Sequence, residues 1–172
     1  MAAPAEPTAP LVVVALGGNL GDVRSCFRQA QADLHDLALD GVRFSGVYRS
    51  APWQSEGPDY WNAVAVFQTT LKAPALLTAL LAIEARAGRE RPYHYAPRTL
   101  DLDLIAYGSA QISSLQLTVP HPRWHLRAFV VEPLAELLPE LVSPDLRQAV
   151  HDEGLQRVSD WAQWLAAGDP EG

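Results

Sequence analysis

The chain alternates between short, continuously apolar runs and longer stretches of helical period. LVVVAL (11–16) is apolar throughout, rich in β-branched residues and bounded by Gly17 and Gly18, the pattern of a buried strand. From Asp22 the spacing lengthens. Val23, Cys26, Phe27, Ala30, Leu34, Leu37 and Ala38 follow intervals of three and four, which predicts an amphipathic helix. Val42 to Arg49 alternates and predicts a second strand. Tyr60 to Thr70 predicts a third, after the turn-rich segment SAPWQSEGPD (50–59). Pro74 opens a second helix, with Leu76, Leu77, Leu80, Leu81, Ile83 and Ala87 on its core side and Gly88 as its stop. The irregular segment RERPYHYAP (89–97) then leads into a fourth strand, Thr99 to Tyr107, ended by Gly108.

These elements run β-α-β-β-α-β, which predicts an α+β, ferredoxin-like core. A doubly wound parallel sheet is disfavoured, because no helix separates the second and third strands. Beyond the core, Arg127 to Leu138 predicts a short helix. Leu155, Val158, Trp161 and Leu165 predict a terminal amphipathic helix. The first ten residues, MAAPAEPTAP, carry no basic residue and no apolar run, and are expected to be a disordered tail.

Composition narrows the class. A length of 172 residues, 48% of them hydrophobic, suits one domain with a real core. Cys26 is the single cysteine, so no internal disulfide can form, in keeping with a cytoplasmic protein. The apolar run 11–16 is too short for a membrane helix. The net charge of −7 is unevenly distributed: residues 132–172 hold nine acids and two arginines, while residues 1–131 hold eleven acids and eleven bases. Between Leu104 and Val131 there is no acid, and Arg123, Arg127, His121 and His125 lie there, so a locally basic surface can attract a small anion. Neither a basic stripe nor a finger motif points to nucleic acid.

The strongest chemical signal is APRTLDLDLIAYG (96–108). Residues two apart on a strand share a face, so Asp101 and Asp103 project together while Leu100, Leu102 and Leu104 face the other way. Paired carboxylates repel and resist desolvation, and a divalent cation removes both penalties; magnesium takes one or two carboxylates plus phosphate oxygens and water. A D-x-D pair alone also occurs on solvated edge strands, but here Arg98 precedes it and apolar residues flank it. Arg89, Arg91 and Arg98 surround Tyr93, His94 and Tyr95, a set able to clamp phosphates and cover a heterocycle. Tyr60 and Asn62 share a strand face and suit a flat, hydrogen-bonding ring, whereas Trp61 turns to the core. In LTVPHPRWHLRAFV (117–130), Pro122 argues against a helical zinc pair of His121 and His125, a phosphate role suits His121 and Arg127, and Phe129 read alone is a core candidate. LGGNLGD (16–22) lacks both the P-loop Lys-Ser/Thr and the first glycine of a dinucleotide motif. A dinucleotide-binding module and a non-enzymatic ligand-binding domain stand as rival readings.

Taken together, ALGGNL (15–20), VYRS (47–50), PDYWNA (58–63), Ile83-Glu84 with Gly88-Arg89, APRTLDLDLI (96–105) and LTVPH (117–121) resemble the 6-hydroxymethyl-7,8-dihydropterin pyrophosphokinases of folate synthesis. The resemblance spans roughly residues 11–145 and implies that 11–172 form a single pyrophosphokinase domain. It implies two magnesium ions, ATP as co-substrate, and attack of the pterin hydroxymethyl oxygen on the β-phosphorus with release of AMP. By the same resemblance, Asp101 and Asp103 ligate the metals, and Arg89 and Arg98 act on the phosphates. Glu84, Arg91, Arg98, Leu104, Thr118, His121 and Arg127 belong to the ATP side. Ser50, Ala51, Trp53, Tyr60, Asn62, Tyr95 and Phe129 belong to the pterin side. The partners are these small molecules, with neither nucleic acid nor membrane, and a monomer is expected.

Overall fold

The structure is a computed structural model describing residues 8–52, 56–88, 100–152 and 154–168. Residues 1–7 of the expected tail lie outside them. Strand β1 (Leu11–Gly18) is followed by helix α1 (Val23–Leu37), the short strand β2 (Arg43–Phe44), β3 (Val47–Ser50) and β4 (Tyr60–Gln68). Helix α2 (Ala73–Arg86) then leads to β5 (Asp101–Tyr107). The remainder comprises β6 (Ile112–Ser113), β7 (Thr118–Val119), α3 (Ala128–Leu137), α4 (Pro144–Ala149), β8 (Gln156–Ser159) and α5 (Trp161–Ala166). The main sheet has the order β5-β1-β4-β3-β8 with antiparallel neighbours, β2 adding to β4, while β6 and β7 pair separately.

Strand alternation sends side chains to two cores. Val12, Val14 and Leu16 of β1 join Ala63, Ala65 and Phe67 of β4 and Leu102 and Leu104 of β5 beneath α1, α2 and α5. Val13, Ala15, Val64, Val66 and Ile105 face the other way and pack on Val130, Val131 and Leu134 of α3. In β5 a bulge intervenes: Val13 pairs with Ala106 but Val14 with Leu104. Ile105 is thereby the extra residue, and Ile105 and Ala106 both reach the α3 core while Tyr107 returns to the other.

Three expected boundaries shift. Gly17 and Gly18 continue β1 rather than bounding it, because both lie in its ladder with β4, opposite Asn62 and Trp61. The second strand breaks at the buried Ser45 and Gly46. There the Ser45 hydroxyl accepts from the Val64 N–H (2.9 Å), replacing one ladder bond with a side-chain bond. The predicted terminal helix is helical only over Trp161–Ala166, and residues 156–159 form β8. The exposed edge of β3 offers backbone groups that need partners, and β8 supplies them while leaving Val158 exposed.

Ion pairs fasten β8. Arg157 donates to Glu136 (Nε–Oε1 2.8 Å) and to Asp160 (Nη2–Oδ1 2.7 Å), and Glu136 also accepts from the Tyr48 hydroxyl and the Gly46 N–H. Burial pushes the Glu136 carboxyl up, but the bonds from Arg157, Tyr48 and Gly46 outweigh it and hold the carboxyl below the usual range. The Arg157 guanidinium lies only 2.5 Å from where a side chain at position 46 would begin, which explains that glycine.

Helix α5 docks through tryptophans. Trp161 stacks on Phe44 (ring centroids 4.2 Å) and Phe27 (5.6 Å), and Trp164 meets Trp61 (5.4 Å). Arg24 and Arg28 of α1 donate to the carbonyls of Trp164 (2.7 Å) and Leu165 (2.6 Å), placing two cations at the helix C-terminus. Trp161→Ala is expected to lower unfolding free energy by about 3–5 kcal/mol in denaturant titration, the usual loss for a buried aromatic. A loss below about 1 kcal/mol would show that α5 adds little to the core.

Candidate active site

Among the described residues, no element covers the sheet face that carries α3 towards the N-terminal end of β5. Cross-strand register sets a row there: Asp101 of β5 lies opposite Gly17 of β1, which lies opposite Asn62 of β4, which lies opposite Tyr48 of β3. In the adjoining row Asp103 faces Ala15. Both aspartates are half-buried, while Leu100, Leu102 and Leu104 are buried in the opposite core, as the alternation predicts. Asn62 is 5% exposed, and its Nδ2 donates to Ser50 Oγ (2.9 Å). Ser50 in turn pairs with the half-buried Tyr60.

Among the described residues, the outer edge of β5 has no strand partner over this stretch, and other groups complete its hydrogen bonds. Leu102 N–H donates to Oε1 of Glu84 (2.7 Å), a carboxylate from α2 that is 1% exposed. The His121 N–H donates to the Ile105 carbonyl (2.8 Å). Closing this edge brings Glu84 and His121 beside the D-x-D strand. An open cleft of about 470 Å³ results, lined by Glu84, Asp101, Asp103, Leu104, Thr118, His121 and Arg127. Gln116 also lines it, a residue that no periodic or charged pattern marks. A second hollow of similar size, beside Phe44, Arg157 and Trp161, lies away from these residues.

Charge in the cleft is mixed. Arg127 Nη1 stands 3.8 Å from Asp103 Oδ2, a long pair of two half-exposed groups. The Arg127 guanidinium also lies 5.6 Å from the ring centre of half-buried Phe129. Burial lowers the His121 pKa, Arg127 and Arg123 lower it further, and Asp101 acts in the opposite sense. His121 Nδ1 accepts from the Arg123 N–H (3.1 Å), so the neutral ring carries its proton on Nε2.

Among the described residues no three His, Cys, Asp or Glu side chains gather as a metal cage. The protein instead offers two hard carboxylates on one face. This donor set fits magnesium, which draws the rest of its coordination from water and phosphate.

Ala51 is exposed at the end of β3. Trp53, Arg89, Arg91, Tyr95 and Arg98 lie outside the described residues. Sequence reading passed over Asn19. It is 4% exposed and donates through Nδ2 to the Pro58 carbonyl (3.1 Å), tying the start of the β1–α1 turn to the segment that enters β4. Asn19 falls within ALGGNL (15–20), one of the segments that carry the family resemblance, which gives this residue no role of its own. Asp22 in LGGNLGD (16–22) caps α1, accepting from Ser25 N–H (3.0 Å), so a carboxylate occupies the end where a pyrophosphate would sit.

The chain matches the family described as 7,8-dihydro-6-hydroxymethylpterin-pyrophosphokinase (HPPK) over residues 13–139. It is 43% identical over 156 residues to the 2-amino-4-hydroxy-6-hydroxymethyldihydropteridine pyrophosphokinase of Synechocystis sp., covering 90% of this chain and 80% of that one. The enzyme of the same name from Pseudomonas aeruginosa is 39% identical, with 86% and 96% covered. A crystal structure of HPPK-DHPS in complex with substrates superposes with a TM-score of 0.62 at 11% identity, covering 87% of this chain. The chain spans 47% of that solved chain, and at this identity the likeness concerns the fold alone. Among the described residues no helix is long and apolar enough to cross a membrane.

Glu84→Ala is expected to be less stable than Glu84→Gln by about 1–3 kcal/mol in thermal or denaturant melts. Alanine leaves the Leu102 N–H without this acceptor, whereas glutamine keeps an oxygen there. Equal stability of the two variants would show that the bond contributes nothing to holding β5.

Proposed function

Because the chain belongs to the 7,8-dihydro-6-hydroxymethylpterin-pyrophosphokinase family, we propose that it transfers pyrophosphate from ATP to 6-hydroxymethyl-7,8-dihydropterin in folate synthesis. The products are the pterin diphosphate and AMP. The observation that carries the reading onto this chain is the strand register that sets Asp101, Asp103 and the buried Asn62 on one sheet face. The core is assigned to the ferredoxin-like arrangement, supported by the order β5-β1-β4-β3. Residues 11–172 are taken as one domain, acting as a monomer in the cytoplasm.

Asp101 and Asp103 hold magnesium in this proposal, and bound magnesium supplies neutralisation of phosphate charge. On the ATP side, Arg127, Thr118 and His121 contact the phosphates or ribose, with His121 donating from Nε2. Glu84 and Leu104 complete that wall, and Arg89, Arg91 and Arg98 are assigned to phosphate by the family resemblance. On the acceptor side, Asn62 reads the ring edge and Ser50 holds the Asn62 amide. Tyr60 and Phe129 flank the ring, and Ala51, Trp53 and Tyr95 line the pocket. The hydroxymethyl oxygen attacks the β-phosphorus, loses its proton, and AMP leaves with the former bridging oxygen. Such transfer depends on positioning and charge neutralisation more than on covalent help from the protein.

Incubation with ATP, magnesium and the reduced hydroxymethyl pterin is expected to yield AMP; ATP left intact would overturn the function. Asp101→Ala and Asp103→Ala are each expected to abolish turnover while melting near the wild-type temperature, since removing one of two like charges costs little stability. Near-normal turnover in either variant would refute the metal assignment. Phe129→Ala is expected to weaken pterin binding several-fold, consistent with about 0.5–1.5 kcal/mol for a flanking ring, and to leave ATP binding unchanged. Intact pterin affinity with a stability loss of about 3–5 kcal/mol would make Phe129 a core residue instead.

A further inference from the structure

Gly17 sits in a strand that is hydrogen-bonded on both edges, and no contact among the described residues requires a glycine there. Its backbone is not in the left-handed region, so no special φ calls for it. Among the described residues, a side chain built at this position would meet Asn62 Oδ1 at 3.8 Å and the Trp61 carbonyl at 3.9 Å, both ordinary contacts. Gly46 is the opposite case, since the Arg157 guanidinium fills the space its side chain would need. A glycine inside a strand weakens it, and where no described protein group claims the space, such a glycine often marks the close approach of a ligand.

The position of the gap says what approaches. Gly17 lies between Asp101 on one neighbouring strand and Asn62 on the other, and its side-chain direction is that of both. It is half-buried, whereas Leu16 and Gly18 beside it are buried, so the face above it is open to solvent. Two strand spacings, about 9–10 Å, separate Asp101 from Asn62 along this row. Any group that spans from the amide to the carboxylate must cross directly over Gly17.

We infer that Gly17 is a specificity-determining residue: its missing side chain forms the floor over which the acceptor lies between Asn62 and the aspartate pair. The inference rests on the pyrophosphokinase reading and adds a residue to it. ATP lies along the outer edge of β5, on the far side of the aspartates, and does not cross this floor.

Gly17→Ala and Gly17→Val in the full chain test this. Melting temperature, ATP affinity with magnesium, and pterin affinity by fluorescence titration are read on each. A methyl group has room in the free protein, so Gly17→Ala is expected to melt at or above the wild-type temperature and to bind ATP unchanged. Its pterin affinity is expected to fall about tenfold, as for a group forced into a filled space, and Gly17→Val further. Unchanged pterin affinity in a folded Gly17→Ala overturns the inference. So does a parallel loss of ATP affinity, which would assign the floor to the nucleotide. A clearly lowered melting temperature of Gly17→Ala also overturns it, because the glycine would then serve the fold. These failures leave the function standing if the wild-type chain forms AMP; absence of AMP from the wild type would fail the function itself.

Discussion

Strand β1 is hydrogen-bonded along both edges, and the rest of the molecule is arranged around that double pairing. Its register with β4 fixes Asn62 opposite Gly17, and its register with β5 fixes Asp101 opposite the same residue. Groups distant in sequence are thereby held in one line by the backbone ladder. The bulge at Ile105 lies beyond the D-x-D pair, so Asp101 and Asp103 stay in regular register with Gly17 and Ala15.

Strand β5 pairs with β1 on one edge and, among the described residues, meets no strand of the main sheet on the other. An edge of this kind is a liability unless its polar groups are met. Glu84 and the His121 amide meet two of them, and the cleft forms where they do so. Structural and chemical demands therefore coincide. The carboxylate that satisfies Leu102 N–H also lines the wall, and the backbone bond that seats His121 sets it in the cleft that the aspartates line. The lowered pKa of His121 follows from the same seating, since it buries the ring beside two arginines.

The C-terminal quarter is acidic in sequence, yet several of its carboxylates are engaged within the fold. Glu132 takes a two-pronged bond from Arg147, and Glu136 and Asp160 share Arg157. These pairs are exposed and contribute modestly to stability. Their clearer effect is geometric: Glu136 joins Tyr48, Gly46 and Arg157, and so links α3 to both β3 and β8. Helix α3 follows directly on Arg127 and carries Phe129, so this linkage sets how far the helix covers the face that bears the aspartates.

Sequence alone determined whatever depends on local backbone geometry. Strand alternation put Asp101 and Asp103 on one face and Leu100, Leu102 and Leu104 on the other, and helical period placed Phe27, Leu34, Leu76 and Leu80 in the core. Motif resemblance gathered Glu84, Thr118, His121 and Arg127 to one site, and the cleft brings those four beside the aspartates. Sequence did not reveal β8, because pairing with a free edge leaves no mark on the strand's own pattern; the Leu155–Val158–Trp161–Leu165 spacing imitated a helix instead. It did not reveal why Glu84 is buried, what Asn19 holds, or that Gly17 lies between an aspartate and an amide. Each of these is a relation between segments distant along the chain. Side-chain periodicity encodes only which way a residue points along its own element, whereas cross-strand register and edge closure exist only after the sheet has assembled.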